Sequence, residues 1–288
     1  MKTPEHSLKN SGLNLRKRPN ARLGLTEILL IGVVVVYAVV LLCGPIGAIA
    51  WNALNSGFRT VFVQLTSADA RSALQLTLIL AGSATVINTV FGIVVALVLE
   101  RQNFWGRWFL NGLVDLPFAV SPVIAGLMVV LLFGRNGWFT PLLEQLGLRI
   151  VFAIPGMVLV TTFVSLPFVV REVMLVLAQV GTSQEQAART MGASECQIFW
   201  RITLPSIRWG LLYGISLTCA RAIGEFGAVL VVSGGIIRST ESATLYIFRS
   251  MDDRNFQGAY SMSLVLVMIS IGILSFMQVL KKRVERRS

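Results

Sequence analysis

Residues 181–205 read GTSQEQAARTMGASECQIFWRITLP. The stretch is polar, and apolar sequence lies on both sides of it. It reads as two short helices with Gly192 at the break. Thr182 precedes Glu185 by three positions and Ser183 precedes Gln186 by three, giving two overlapping capping boxes, either of which starts a helix. Gly192 suits the left-handed conformation that closes one. Ser194 and Gln197 form a further capping box, opening a second helix that ends or kinks at Pro205. Ala187 and Ala188 are small, so another surface can approach the backbone closely. Ile198, Phe199, Ile202 and Leu204 give the second helix an apolar face suited to packing beneath membrane helices. The pair is therefore either a docking element held against a membrane domain or an ordered loop. Neither reading involves catalysis, because the stretch has no evident nucleophile, base or metal cluster.

The rest of the chain explains the setting. Hydrophobic residues make up 55% of the 288 and charged residues 14%, and the mean hydropathy is +0.73. Soluble domains carry about 25% charged residues, so the charge is too sparse to coat a soluble surface and an integral membrane protein is expected. The net charge of +11 does not point to nucleic acid, because it sits in the tails. Lysine occurs only at Lys2, Lys9, Lys17, Lys281 and Lys282, beside Arg16, Arg18, Arg22, Arg283, Arg286 and Arg287. Basic residues flanking membrane spans follow the positive-inside rule. Cys43, Cys196 and Cys219 are odd in number and lack CxxC spacing, so neither a disulfide framework nor zinc is supported. His6, in the tail, is the only histidine.

A helix crosses the hydrocarbon core with about 20 apolar residues. Six runs qualify: Ile28–Trp51, Ser72–Leu99, Trp108–Phe133 (interrupted by Asp115), Ile150–Val170 with an end as far on as Leu177, Trp209–Val232, and Phe256–Leu280. The first is too long for a signal peptide and lacks an obvious small-residue cleavage site. Six spans place both tails on one side, and their basic residues make that side cytoplasmic. The long connection 181–208 is then cytoplasmic too. Prolines punctuate the spans. The segment DLPFAVSPVIAG, 115–126, carries Pro117 and Pro122 with Ser121 between them, and such broken helices often line a cavity. Ordinary helix bending is the alternative.

The stretch 181–205 resembles the EAA loop of type I ABC importer permeases. That pattern is Glu-Ala-Ala, three residues, Gly, nine residues, Ile-x-Leu-Pro, and the sequence has Ala187, Ala188, Gly192, Ile202, Leu204 and Pro205 at those spacings. Gln186 stands where the family has Glu, and Glu185 lies one place earlier. The resemblance covers about residues 66–280. It implies an all-α membrane protein of six transmembrane helices in the type I ABC importer permease fold, with a cytoplasmic EAA coupling helix at about Ser183–Met191. The implied organisation is a cytoplasmic tail at 1–24, a first transmembrane helix and periplasmic segment at 25–65, the ABC transmembrane type-1 domain at 66–280 with its coupling loop at 181–208, and a cytoplasmic tail at 281–288. Glu185, Gln186, Ala187, Ala188, Gly192, Ile202, Leu204 and Pro205 would couple to a separate ATPase subunit. The chain itself lacks a P-loop, since no lysine follows a Gly-rich loop. ATP would be bound by the partner, and no cofactor or metal by this chain.

Arg221 and Glu225 lie four apart on the fifth span and share a helix face. Counted from Arg208, they sit about 20 Å and about 26 Å into the membrane. Intramembrane charges are functional hypotheses. Arg221 is a candidate for passing an anion, with Glu225 setting its position; a structural ion pair at a subunit interface is the alternative, and the one favoured for Glu225. Pro117, Ser121, Pro122, Arg221 and Glu225 form the candidate translocation pathway. LPFAVSPVIAG and RAIGEFGAVLVVSGG resemble the sulfate/thiosulfate permease subunits, with molybdate permeases sharing a similar GEFG segment. That resemblance implies a heterodimer with a second permease, two ATP-binding subunits and a periplasmic sulfate- or thiosulfate-binding protein facing Gly234–Asn255, in the cell inner membrane. A secondary carrier is a rival, though no clear internal repeat is visible. A scaffold without a transport role is another.

Overall fold

The computed structural model describes residues 25–285, with side chains described over 26–279. The basic tails 1–24 and 286–288, and with them His6, lie outside the described residues. Among the described residues the structure is helical, with no strand. The chain divides into two compact units after Gly47.

The first unit holds α1 (Leu25–Ala38), a π-turn at Val39–Cys43, and the start of α2 (Gly44–Asn55). From Thr26 to Asn55 this is one apolar stretch of 30 residues. None of the first unit's described side chains is buried. The π-turn has a local cause. Pro45 offers no N–H and its ring presses on the carbonyl four residues back, at Leu41, so the helix widens there.

In the second unit, α3 (Phe58–Thr66) leads into α4 (Ala68–Arg101), where the Ser67 side chain accepts from the Ala70 N–H as an N-cap. The helices α5 (Arg107–Ala119) and α6 (Pro122–Phe133) follow, then the short α7 (Thr140–Gln145) and α8 (Ile154–Val180). The polar stretch forms α9 (Ser183–Thr190) and α10 (Glu195–Ile198). The chain continues through α11 (Leu204–Ile223), α12 (Gly227–Ser233), α13 (Ala243–Asp252) and α14 (Phe256–Glu285).

Among the described residues, four helices are long and apolar enough to cross a membrane, and up to six spans result if each of two bent pairs counts as one. The expected third span is therefore not a rod: α5 and α6 meet at 113°. Pro122 at the start of α6 forces Ser121 out of the helical region, to φ −60° and ψ 139°, and that breaks the chain. The fifth span breaks at 57° between Ile223 and Gly227. The fourth runs past its expected limit to Val180, carrying Arg171 and Glu172 inside it.

The core is a three-helix junction of α4, α8 and α11, in which Ala96, Leu99, Val169, Val170, Val173, Leu177 and Ile207 are buried together. Glycines set the spacing. A Cβ on Gly92 of α4 would lie 2.7 Å from Val169 Cγ1, and one on Gly214 of α11 would lie 3.0 Å from Val169 Cα. Close backbone approach through small residues is how helices associate in lipid, where the solvent is as apolar as the side chains. Asn88 is fully buried and ties α4 to α8, donating to Thr162 O (3.1 Å) and Ser165 Oγ (2.9 Å). A second cluster joins α6 and α12 to α4 and α8 through Ala125, Val129, Met157, Val160, Ala228 and Val232. The helix α14 runs in the direction of α4. Its Met262 packs near Ala70 and Ala73, and its Ile273 packs beside Ala81 and Ala222.

Candidate functional site

The segment 181–205 folds at the end of the bundle where α4 and α8 finish. Gly181, at φ +69°, stops α8, and α9 begins two residues later. Helix α9 does start where the capping pattern expects, but neither of its two capping boxes forms. Thr182 makes no side-chain cap, and the Gln186 amide donates to Thr182 Oγ1 (3.2 Å) instead. Glu185 is drawn elsewhere. It is the one buried side chain of α9, paired with Arg101 at the end of α4 (Nε–Oε2, 3.2 Å). It also accepts from Thr203 Oγ1 (3.0 Å). Arg101 donates in addition to the carbonyls of Gly181 (2.7 Å) and Leu177 (3.4 Å). A buried carboxylate gains more from a guanidinium and a hydroxyl than from a solvent-exposed cap.

Gly192 closes α9 in the left-handed region, at φ +84°, as the sequence requires. The capping box of Ser194 and Gln197 forms in full: Gln197 N–H donates to Ser194 Oγ, and Ser194 N–H to Gln197 Oε1. Pro205 does not end the second helix. A π-turn at Phe199–Thr203 widens the backbone ahead of it, as at Pro45, and α10 runs through that turn into α11. Motion of the α9–α10 pair is therefore joined covalently and helically to a spanning helix.

The faces sort clearly. Gln186 and Ala187 are exposed and Ala188 half-exposed. With Gln184, Met191, Gly192 and Ile202, the two alanines border a shallow outward groove. On the opposite side, Ile198 and Phe199 border a cleft of about 290 Å³ against Leu97, Val98 and Arg101. Leu204 packs into the three-helix core. The apolar face of the second helix is thus split: Ile198, Phe199 and Leu204 turn inward, and Ile202 turns outward. Arg189 clamps Glu195 at 2.7 and 2.9 Å. The hydrogen bond from Arg189 holds the Glu195 carboxyl below the usual carboxylate range, and the same bond raises Arg189.

Within the spans, Arg221 and Glu225 pair at 2.6 Å. Glu225 is 3% exposed by side chain and Arg221 32%. Glu225 lies in the break between α11 and α12, where its Oε1 accepts from the Ala228 N–H (3.0 Å) and its carbonyl from Thr244 Oγ1 (2.7 Å). The broken segments meet here. A Cβ on Gly227 would lie 3.4 Å from Pro122 Cβ, and one on Gly126 only 2.7 Å from Ala228 O. Pro122 and Glu225 thus belong to one junction. Ser121 is exposed beside it, while Pro117 is buried within α5.

Sequence reading missed two groups. Arg101 reads as an ordinary charge at a span end, and no spacing rule links it to Glu185, 84 residues on. Arg171 falls outside a span cut at Val170. It donates to Asp115 Oδ1 (2.8 Å) and Asn111 Oδ1 (2.7 Å), tying α5 to α8. At the opposite end of the bundle, Arg249 holds Glu241 through two bonds (2.6 and 3.1 Å), and Arg238 holds Asp69 at 2.5 Å. The hydrogen bond to Glu241 raises Arg249 further. Arg238, Arg249 and Asp253 are therefore engaged within the chain, whereas Asp252 and Arg254 stand exposed. Among the described residues, no group of His, Cys, Asp and Glu could hold a metal ion.

Comparison with known proteins places this architecture. Residues 88–288 match the family described as binding-protein-dependent transport system inner membrane component. The sulfate transport system permease protein CysW of Synechocystis sp. is 46% identical over 257 residues, covering 88% of this chain and 92% of that protein. The sulfate transport system permease protein CysT of Salmonella typhimurium is 32% identical over 257 residues, covering 89% and 93%. Among solved structures, a bacterial alginate ABC transporter in complex with an alginate pentasaccharide-bound periplasmic protein superposes with a TM-score of 0.75. It is 17% identical and covers 89% of this chain and 94% of that one.

Proposed function

The chain belongs to the family of binding-protein-dependent transport system inner membrane components, and from that membership we propose that it is one permease subunit of an ATP-driven importer for sulfate and thiosulfate. The observation that carries the substrate is the 46% identity to a sulfate permease over 88% of the chain. The lower, 32% identity to a CysT protein supports a CysW-type role, with a CysT-type subunit as the second half of a heterodimer. Two ATP-binding subunits serve the pair, and one of them docks on the groove along Ala187, Ala188 and Gly192, with Gln186 at its edge. Both termini lie in the cytoplasm and the spans cross the inner membrane. A periplasmic sulfate- or thiosulfate-binding protein meets the end that carries α13. ATP is held by the partner subunits, and this chain is not itself an enzyme.

The translocation step uses the α11–α12 break. Each unpaired charge near a membrane centre costs roughly 2.5–3.5 kcal/mol on insertion scales. Glu225 is buried and paired, so it serves as an anchor. Arg221, a third exposed, offers the remaining face of its guanidinium to a passing oxyanion, a planar donor set suited to tetrahedral anions. Pro117, Ser121 and Pro122 shape the adjoining bend.

The test is uptake of labelled sulfate, thiosulfate and molybdate in cells lacking this chain, complemented with the wild type or Arg221→Gln. Loss of sulfate and thiosulfate uptake with molybdate uptake intact is expected, and restoration by wild type only. Loss of molybdate uptake alone would assign the chain to that anion instead. Uptake that persists without any ATP-binding subunit would make it a secondary carrier.

A further inference from the structure

A lever is only as good as its attachment, and α9 is attached in an unusual way. Its single buried side chain is the carboxylate of Glu185; no apolar residue of α9 is buried. Its hold on the bundle is therefore polar, and one residue supplies most of it. Arg101 pairs with Glu185 at 3.2 Å, and donates to Gly181 O at 2.7 Å and Leu177 O at 3.4 Å. Thr203 donates to the same carboxylate at 3.0 Å. The side chains of Arg101 and Glu185 are 14% and 10% exposed. Four elements meet at these two side chains: the end of α4, the end of α8, α9, and the π-turn that leads into α11.

We propose that Arg101 is a positioning residue for energy coupling: it clamps α9 to the end of α4, so that displacement of α9 moves three spanning helices directly rather than only α8 and α11, to which the chain already ties it. The proposal rests on the reading that α9 is the contact to an ATP-binding subunit. The chemistry favours arginine at this site. A planar fork can serve a carboxylate and two carbonyls at once, whereas lysine presents a point charge. The two carbonyls, at the end of α8, fix the guanidinium in direction, and the carboxylate ties α9 to it. Without the clamp, α9 keeps its covalent links to α8 through Gly181 and Thr182 and to α11 through α10, but it loses its direct attachment to α4.

The test uses the intact complex purified from membranes, comparing wild type with Arg101→Ala, Arg101→Lys and the exchange Arg101→Glu/Glu185→Arg. Two measurements are made: amide hydrogen exchange over residues 183–191, and sulfate taken up per ATP hydrolysed in proteoliposomes with the loaded binding protein. Coupling between sites is typically a factor of about 5–150. Arg101→Ala is therefore expected to speed exchange in α9 about tenfold and lower uptake per ATP by a similar factor, with the subunits still copurifying. Arg101→Lys should recover part of both. If Arg101→Ala prevents assembly, the lysine variant carries the test through the same two ratios. Unchanged exchange in α9 overturns the clamp. Faster exchange with unchanged uptake per ATP overturns its role in coupling, as does a fall of uptake and hydrolysis in equal proportion. Failure of the wild-type complex to import sulfate overturns the function proposed above instead, and the exchange measurement still decides the clamp.

Discussion

Replacing Arg221 by Met is expected to destabilise the protein more than replacing Glu225 by Gln, although the two form one ion pair. The asymmetry comes from burial. Glu225 is 3% exposed and Arg221 32%. Removing the guanidinium leaves a carboxylate that cannot reach water, with only the Ala228 N–H still donating to it. Breaking a buried pair from one side costs about 3–5 kcal/mol, and the residual bond places Arg221→Met at the low end, near 3 kcal/mol. Removing the carboxylate's charge leaves an arginine with a long stem and a partly exposed head, which can turn toward a polar region. Gln at 225 also keeps an oxygen for Ala228. That variant should cost about 1 kcal/mol. The double variant leaves no stranded charge and should cost less than the sum, about 1–2 kcal/mol. For a chain of this size, 1 kcal/mol shifts the unfolding midpoint by roughly 2–4 °C. Arg221→Met should therefore lower it by about 6–12 °C and Glu225→Gln by about 2–4 °C, measured by thermal unfolding of the purified complex in detergent. A Glu225→Gln variant as unstable as Arg221→Met would refute the burial argument. So would a double variant equal to the sum of the singles.

Three further outcomes are expected. Gly192 has φ +84°, and a Cβ there would meet no atom within 4 Å, so Gly192→Val costs backbone strain alone, about 1–2 kcal/mol. Copurification of the ATP-binding subunits should fall with it, by pull-down, while the fold of the spans is kept. Gly126→Ala drives a methyl to 2.7 Å from Ala228 O, so α6 and α12 must separate; a loss of about 1–3 kcal/mol is expected, read as a lower unfolding midpoint. The third outcome concerns pH. Glu195 titrates below its ordinary range because Arg189 donates to it, so its contribution is complete above the unfolded-state value and is lost as pH falls through the lowered folded-state value. The protection of amides around Gly192, measured relative to their intrinsic exchange rate at each pH, should fall on acidification in wild type, and Glu195→Gln should remove that fall.

Much of this protein can be read in one dimension because the relevant forces are local or compositional. Spans follow from runs of apolar residues, since lipid rewards them wherever they occur. The turn at Gly192 follows from its backbone freedom, and the box at Ser194 and Gln197 from groups three residues apart. The spacing of Ala187, Ala188, Gly192, Ile202, Leu204 and Pro205 marks the family without any coordinates. What one dimension could not supply were partnerships between distant residues. Thr182 and Ser183 have the pattern of caps, yet Arg101 takes Glu185 because a buried ion pair outcompetes an exposed hydrogen bond. Arg171 meets Asp115 and Asn111 across 56 and 60 positions.

Sequence alone therefore determined that the chain is a bundle of apolar helices with a polar two-helix insert, because hydropathy and turn chemistry act within a few residues of one another. Tertiary structure decided that the fifth span is broken, that Pro122 meets the Glu225–Gly227 junction, and that α9 hangs from the bundle by a carboxylate. Those outcomes depend on which surfaces come together, and the geometry of close approach, set by Gly126, Gly214 and the buried charges, exists only once the helices have packed.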